Sequence, residues 1–271
     1  MALLRCMLMV ILVEFCNAIF IACPTLTQCP NLPQGCVCGA SCGTNALEIN
    51  CGKGNFGTIL LNDTFVNFTS VQSGVPINLK LPNNLEDINI NAFNGIEARI
   101  RSLNLRDSNL VHVPAALSRL HNLQALDLSG NPIQTVSYSD FNGFANILQL
   151  LSISLNHMPA YPNDIDKLPV LRVLNLYDIS FEMNDMSIFR GSSISTLKLT
   201  FTPGYSGPIL PPSIVNLSGL RSVYVNGRRI PCDCSLKYLQ DWDVSKLRIH
   251  SQCTTDEYKL AEYIRRDLYR C

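Results

Sequence analysis

Between residues 76 and 230 apolar positions come in pairs, two residues apart, and the pair returns at a nearly constant interval. Its first member is Leu79, Leu103, Leu126, Leu151, Leu174, Leu197 and Val223, at steps of 24, 23, 25, 23, 23 and 26 residues. The second member is Leu81, Leu105, Leu128, Ile153, Leu176, Leu199 and Val225. Side chains two apart in an extended strand share a face, so each unit predicts a short strand with two anchors turned to a core. Seven units in phase predict a solenoid in which each strand stacks beside the last as a parallel sheet. The residues between and beside the anchors then point away from the core onto an open concave face. In chain order they are Lys80, Asn104 and Arg106, Asp127 and Ser129, Ser152 and Ser154, Asn175 and Tyr177, Lys198, Thr200 and Phe201, Tyr224 and Asn226.

The unit Leu123-Gln-Ala-Leu126-Asp-Leu128-Ser-Gly-Asn131-Pro-Ile133 resembles the leucine-rich repeat family. The return segments resemble it as well: Pro114-x-x-Leu117-x-x-Leu120, Pro162-x-x-Ile165-x-x-Leu168 and Pro211-x-x-Ile214-x-x-Leu217. Ala92-Phe93-Asn-Gly95-Ile96 and Asp140-Phe141-Asn-Gly143-Phe144 look like the family's alternative return turn. The resemblance implies an α/β solenoid, a curved stack with short parallel strands on its concave face. It also implies an asparagine after each strand whose amide serves backbone carbonyls inside the stack. Asn84, Asn131 and Asn156 occupy that position, and Ser108 and Thr202 could serve in part. Ile179 and Arg228 cannot, which predicts irregular turns around Ile179 and after Val225.

Outside the repeats the composition changes. Arg5, the apolar run from Cys6 to Val13 and the small residues Cys16 and Ala18 read as a secretory signal over residues 1–18. Glu14 interrupts the apolar stretch and Ile19 to Ala22 prolong it, so a retained signal anchor is the alternative. If the signal is cleaved, no membrane insertion is expected. Of the 12 cysteines, Cys6 and Cys16 leave with the signal; the rest cluster between Cys23 and Cys51 and between Cys232 and Cys271. End-localised cysteines in a secreted chain predict disulfides. Zinc is the rival reading, but Cys36-Val-Cys38 and Cys232-Asp-Cys234 are tighter than the usual zinc spacing, and no metal or other cofactor is expected.

These clusters sit where a solenoid needs covers for its apolar ends. Cys29-Pro30, Cys36-Val-Cys38 and Leu47-Glu-Ile-Asn-Cys51 resemble the amino-terminal cap of extracellular leucine-rich repeat proteins, with 47–51 as an edge strand. Cys232-Asp-Cys234-Ser-Leu236-Lys-Tyr-Leu239-Gln-Asp-Trp242, with Cys253 and Cys271, resembles the carboxy-terminal cap. The resemblance implies Cys29–Cys38, Cys36–Cys51, Cys232–Cys253 and Cys234–Cys271; Cys23–Cys42 is a guess for the pair left over. Ser235 is expected to cap a short helix, and Thr254-Thr-Asp-Glu257 to open a second. The chain thus divides into a signal (1–18), an amino-terminal cap with an insertion (19–75), about seven repeats (76–230) and a carboxy-terminal cap (231–271).

Charge and motifs narrow the function. The 21 basic and 21 acidic residues balance, so no global field draws the protein to nucleic acid. No G-x-S-x-G, H-E-x-x-H, phosphate-binding or dinucleotide motif occurs. His112, His121 and His157 fall in different repeats, and His250 in the cap, so no catalytic residue is assigned. Sequons at Asn62, Asn67 and Asn216 are glycosylation candidates off the concave strands. The expectation is a secreted module that binds an extracellular protein or glycan-bearing ligand or receptor through the concave face, with Tyr177, Tyr224 and Phe201 as rigid contacts. The alternative is a matrix protein that self-associates or binds fibres.

Overall fold

A computed structural model describes residues 32–41, 46–60, 74–181, 193–205, 210, 212–226, 229–240, 248–250, 252–254 and 259–271. The expected signal, Cys23, Cys29, Cys42, Asn62 and Asn67 lie outside these residues. The strands are β1 (Val37–Ser41), β2 (Ala46–Asn50), β3 (Ile59–Leu60), β4 (Ile77–Lys80), β5 (Asp87–Ile88), β6 (Ile100–Asn104), β7 (Ala125–Leu128), β8 (Leu150–Ser154), β9 (Val173–Ile179), β10 (Thr196–Phe201), β11 (Ser222–Asn226) and β12 (Arg248–His250). Among the described residues, ten form one sheet in the order β1-β2-β4-β6-β7-β8-β9-β10-β11-β12, and β3 pairs with β5. β1 runs antiparallel to β2; every other pairing is parallel.

The register aligns the first anchors of all seven units: Leu79, Leu103, Leu126, Leu151, Leu174, Leu197 and Val223 stand in one row. Each is at most 2% exposed, so the row is the spine of a continuous core. Parallel strands need a crossover, and here the described crossovers are mostly short 3-10 helices: Ala115–Arg119, Tyr138–Phe141, Asn163–Lys167 and Pro212–Asn216. Pro114 and Pro162 precede two of them at φ −61° and −78°, values the ring supplies without further ordering cost. Leu117, Leu120, Ile165 and Leu168 return from these segments to the underside of the sheet. Phe141 and Phe144 meet edge to face at 5.9 Å. Beside them a Cβ on Gly143 would lie 1.8 Å from the Ser118 carbonyl oxygen, so only glycine lets these two returns touch.

Asn131 performs the expected ladder role. Its Nδ2 donates to the carbonyls of Leu105 (2.8 Å) and Leu128 (2.9 Å), and its Oδ1 accepts from the Leu110 amide. Asn84 Nδ2 reaches the Gly57 carbonyl, Ser108 Oγ the Pro82 carbonyl and Thr202 Oγ1 the Ile179 carbonyl. Asn156 departs from expectation: it is exposed, because Leu155 and Met158 take the interior of that turn. Ile179 is fully buried, and the turn there is irregular as expected. β9 runs to seven residues, Asp178 adopts φ 54°, and the β9–β10 register shifts between Leu199 and Phe201.

Both ends are closed by disulfides: Cys36–Cys51, Cys232–Cys253 and Cys234–Cys271. Cys38 is also disulfide-bonded. β2 is the strand expected at the edge, but β1 pairs antiparallel to it, so β1 is the edge of the sheet. In the carboxy-terminal cap the helix Cys234–Leu239 buries Leu236 and Leu239, but Asp233 caps it and not Ser235. Asp233 Oδ1 accepts from the Ser235 amide at 2.9 Å; a carboxylate two residues earlier meets the free N–H groups first. The second helix, Leu260–Arg266, begins after the expected capping box; its N-cap is Lys259, with no side-chain cap, and residues 255–257 of the box lie outside the described residues. No helix among the described residues is long and apolar enough to cross a membrane.

Candidate binding face

On the open side of the sheet the outward residues form parallel rows. The central row runs Asn50, Lys80, Asn104, Asp127, Ser152, Asn175, Lys198 and Tyr224. A row toward the strand ends holds Arg106, Ser129, Ser154, Tyr177, Thr200 and Asn226. The structure therefore brings Asn104, Arg106, Asp127, Asn175, Tyr177, Lys198, Thr200, Tyr224 and Asn226 onto one face, each at least partly accessible.

Tyr177 organises the middle of that face. Arg106 Cζ lies 5.4 Å and Lys198 Nζ 5.5 Å from its ring centroid, and Lys198 Nζ is 3.5 Å from its hydroxyl. Both cations meet the negative π cloud of the ring. Arg106 reaches it across the positions of Ser129 and Ser154, and this explains why those serines, expected on the accessible face, are each 1% exposed. Ser129 Oγ donates to Asp127 Oδ1 at 2.6 Å. Ser154 Oγ donates to Asp178 Oδ2 at 2.7 Å and accepts from the Gly130 amide at 2.8 Å. Ser152 is buried too, accepting from Asn175 Nδ2 at 2.9 Å. The three serines thus hold the face in shape from below.

Phe201 is a second correction. It is 3% exposed and stacks on Tyr205 at 4.9 Å, inside the core. Its parity along β10 is that of Leu197 and Leu199, so the alternation that exposes Lys198 buries Phe201.

Charges on the face are largely answered locally. Burial opposes the Arg106 charge, but its hydrogen bond to Asp107 and the fields of Asp107, Asp127 and Tyr177 hold its pKa above the ordinary value. Arg106 Nε lies 3.1 Å from Asp107 Oδ2. Asp127 accepts from Ser129, and Asp178 from Ser154.

One row was missed in the sequence: Glu48, Asn78, Ser102, Ala125, Leu150, Val173, Thr196 and Ser222, each just before its first anchor. The same alternation would have found it, carried one step upstream. Ala125, Leu150 and Val173 are partly exposed, so the face has an apolar strip beside its polar centre.

Away from this face, Asp166 stands in a return helix. Tyr161 donates its hydroxyl to Asp166 Oδ1 at 3.0 Å, while Oδ2 is buried without a partner. Burial pushes this carboxyl up to about 7 against the opposing effect of the Tyr161 hydrogen bond. His112, His121 and His157 are exposed on separate turns. Asn216 ends the Pro212–Asn216 helix, off the concave strands.

The description "Leucine rich repeat" fits residues 81–133 by a match to that family's model. With the aligned anchors and the capped sheet, this decides the family. The chain is a leucine-rich repeat protein with disulfide-bonded caps. It is 30% identical to Tsukushi of Gallus gallus over 220 residues, 76% of this chain and 53% of that protein. Over 80 residues it is 35% identical to Chaoptin of Drosophila melanogaster, 29% of this chain and 6% of that protein. The chain therefore spans about half or less of the length of these relatives. Human 5T4 (Wnt-activated inhibitory factor 1, trophoblast glycoprotein) shares the fold at TM-score 0.51 and 17% identity, covering 87% of this chain and 92% of its own.

Proposed function

We propose that this leucine-rich repeat protein is a secreted recognition module that binds an extracellular protein through its concave face. The observation that carries the reading is Tyr177, a large aromatic side chain held half-open at the centre of the face by two cations. An ordered aromatic surrounded by polar side chains loses little freedom on binding and excludes much water, as interface hot spots do. Disulfides at both ends support an oxidising, extracellular setting. Similarity to Tsukushi and the shared fold of 5T4 support a role in ligand binding or signalling outside the cell.

Capture from extracellular fluid by the purified, glycosylated chain tests this reading. Tyr177→Ala and Tyr224→Ala, each checked for an unchanged melting transition, should weaken capture by about 2 kcal/mol, roughly thirtyfold. Val111→Ser, at an exposed position off the sheet, should leave capture intact. Capture that ignores both tyrosines and falls with Val111 would move the site away from the concave face. Self-association of the chain as its main behaviour would instead favour the matrix role.

A further inference from the structure

One residue upstream of the row that holds Ala125, Leu150 and Val173, another column crosses the sheet. Its backbone groups join in order: the Gln124 amide donates to the Arg101 carbonyl at 2.8 Å, Gln149 to Gln124 at 2.8 Å, Arg172 to Gln149 at 2.9 Å, Ser195 to Arg172 at 2.9 Å and Arg221 to Ser195 at 2.8 Å. These residues lie at or just before the starts of β6–β11, so the column is the rim of the sheet on that side. Gln149, Arg172 and Arg221 are exposed there, and Arg101, Gln124 and Ser195 are half-buried. Neighbouring strands about 4.8 Å apart put Arg172 three steps, about 14 Å, from Arg101 and two steps, about 10 Å, from Arg221.

This rim carries cations without acids. Every residue of the column is basic or neutral, and among the described residues no carboxylate lies within ion-pair distance of Arg101, Arg172 or Arg221. Asp107 and Asp178 come six residues downstream of Arg101 and Arg172, toward the other margin of the sheet. The central row is different: its lysines, Lys80 and Lys198, are five strands apart with Asp127 between them. At the head of the rim is a cavity of about 250 Å³ lined by Arg99, Arg101, Asn122 and Gln124, and no carboxylate is among its lining residues. Arg99 Nε donates to the Val75 carbonyl at 3.1 Å, and burial lowers the pKa of this guanidinium. An anion in the cavity would offset that cost.

The cations of the column are all guanidiniums, whose planar fork meets a sulfate or carboxylate with two parallel hydrogen bonds. Between them stand Gln124, Gln149 and Ser195, which can donate to and accept from hydroxyl groups. Fixed cations separated by neutral hydrogen-bonding groups over about 24 Å suit linked sugars in which sulfates alternate with hydroxyls. An acidic peptide would bring carboxylates but no hydroxyls to the positions between. We propose that this rim, with the cavity at its head, binds a sulfated glycosaminoglycan chain. One sulfate enters the cavity against Arg99 and Arg101, and Arg172 and Arg221 take further sulfates of the same chain. The surface is separate from the site centred on Tyr177 and independent of the protein-binding reading.

Heparin is the probe. The purified full chain should bind immobilised heparin at physiological salt, with an affinity that falls steeply as salt rises. Arg172→Gln combined with Arg221→Gln, both at exposed positions, should weaken binding roughly tenfold without moving the melting transition. Adding Arg101→Gln should bring the loss to about thirtyfold and make the salt dependence shallower. Arg229→Gln combined with Arg266→Gln removes the same charge from exposed positions at the carboxy-terminal end and should stay within about twofold of the parent. Heparin stripped of its sulfates and poly-glutamate should each bind at least about tenfold more weakly than heparin. Tyr177→Ala, which tests the concave site, should leave heparin binding within about twofold, so either reading can fail alone. No retention at physiological salt, equal binding of poly-glutamate, or a loss caused by the carboxy-terminal pair or by Tyr177→Ala but not by the rim variants each overturns the proposal.

Discussion

The turn after β7 and the turn after β9 occupy the same place in two repeats separated by one and solve the same problem in opposite ways. After β7 the chain must leave the sheet while its carbonyls stay buried, and the Asn131 amide collects two of them while its own oxygen takes the Leu110 N–H. The strand stops at Leu128, in register with its neighbours. After β9 the corresponding residue is Ile179, which has no polar group to offer. There the strand continues to Ile179, Asp178 turns into the left-handed region at φ 54°, and the pairing with β10 slips. A buried amide ends a repeat cleanly; an aliphatic residue leaves the backbone to find partners by lengthening the strand. The irregular turn has a use, because it sets the Asp178 carboxylate against Ser154, beside the ring of Tyr177.

The difference can be broken at several points. Asn131→Leu leaves buried carbonyls and an N–H without partners and should cost about 3 kcal/mol in denaturant unfolding. A loss under about 1 kcal/mol would mean that the β7 turn does not depend on the amide. Asp178→Val puts a β-branched residue at positive φ and removes the acceptor of Ser154 Oγ, at a cost of about 2 kcal/mol. Asp178→Asn, which tolerates the left-handed conformation, should recover most of this.

Between the two turns lies the return segment with Asp166, where pH supplies a probe. Burial pushes its carboxyl up to about 7 in the folded protein, well above an ordinary aspartate, so the native state binds the proton more tightly than the unfolded chain. That contribution is complete below about 4 and is lost as pH rises through 7. Thermal melts should therefore show stability falling between about pH 4 and 7 and levelling above, and Asp166→Asn should flatten the profile and exceed the parent at pH 8 by about 1 kcal/mol. The smallest effect belongs to Asn156→Ala. It occupies the sequence position of Asn131 but is exposed, and its loss should stay within about 0.5 kcal/mol.

Much of the fold was legible because it rests on alternation. Every anchor read from the sequence is buried in its expected row, since a strand whose period is two has only one way to turn two leucines inward. The cap disulfides among the described residues follow the pairing implied by the family resemblance. The binding face was legible as a set of positions but not as a surface. Ser129, Ser152 and Ser154 have outward parity, yet longer neighbours and their own hydrogen bonds bury them. Phe201 had inward parity, and its place in the core was available to the sequence.

By itself, then, the sequence determined the period, the inward and outward faces of each strand and the ends that need covering, because these depend on the local geometry of a few residues. Only the tertiary structure decided that Asn131 turns in and Asn156 turns out, that Arg106 reaches Tyr177 across two intervening strands, and that Lys198 lies against the ring and hydroxyl of Tyr177. Each depends on what adjacent repeats, some two dozen residues away in the chain, place beside it, and a one-dimensional pattern holds no record of side-chain length and reach across the sheet.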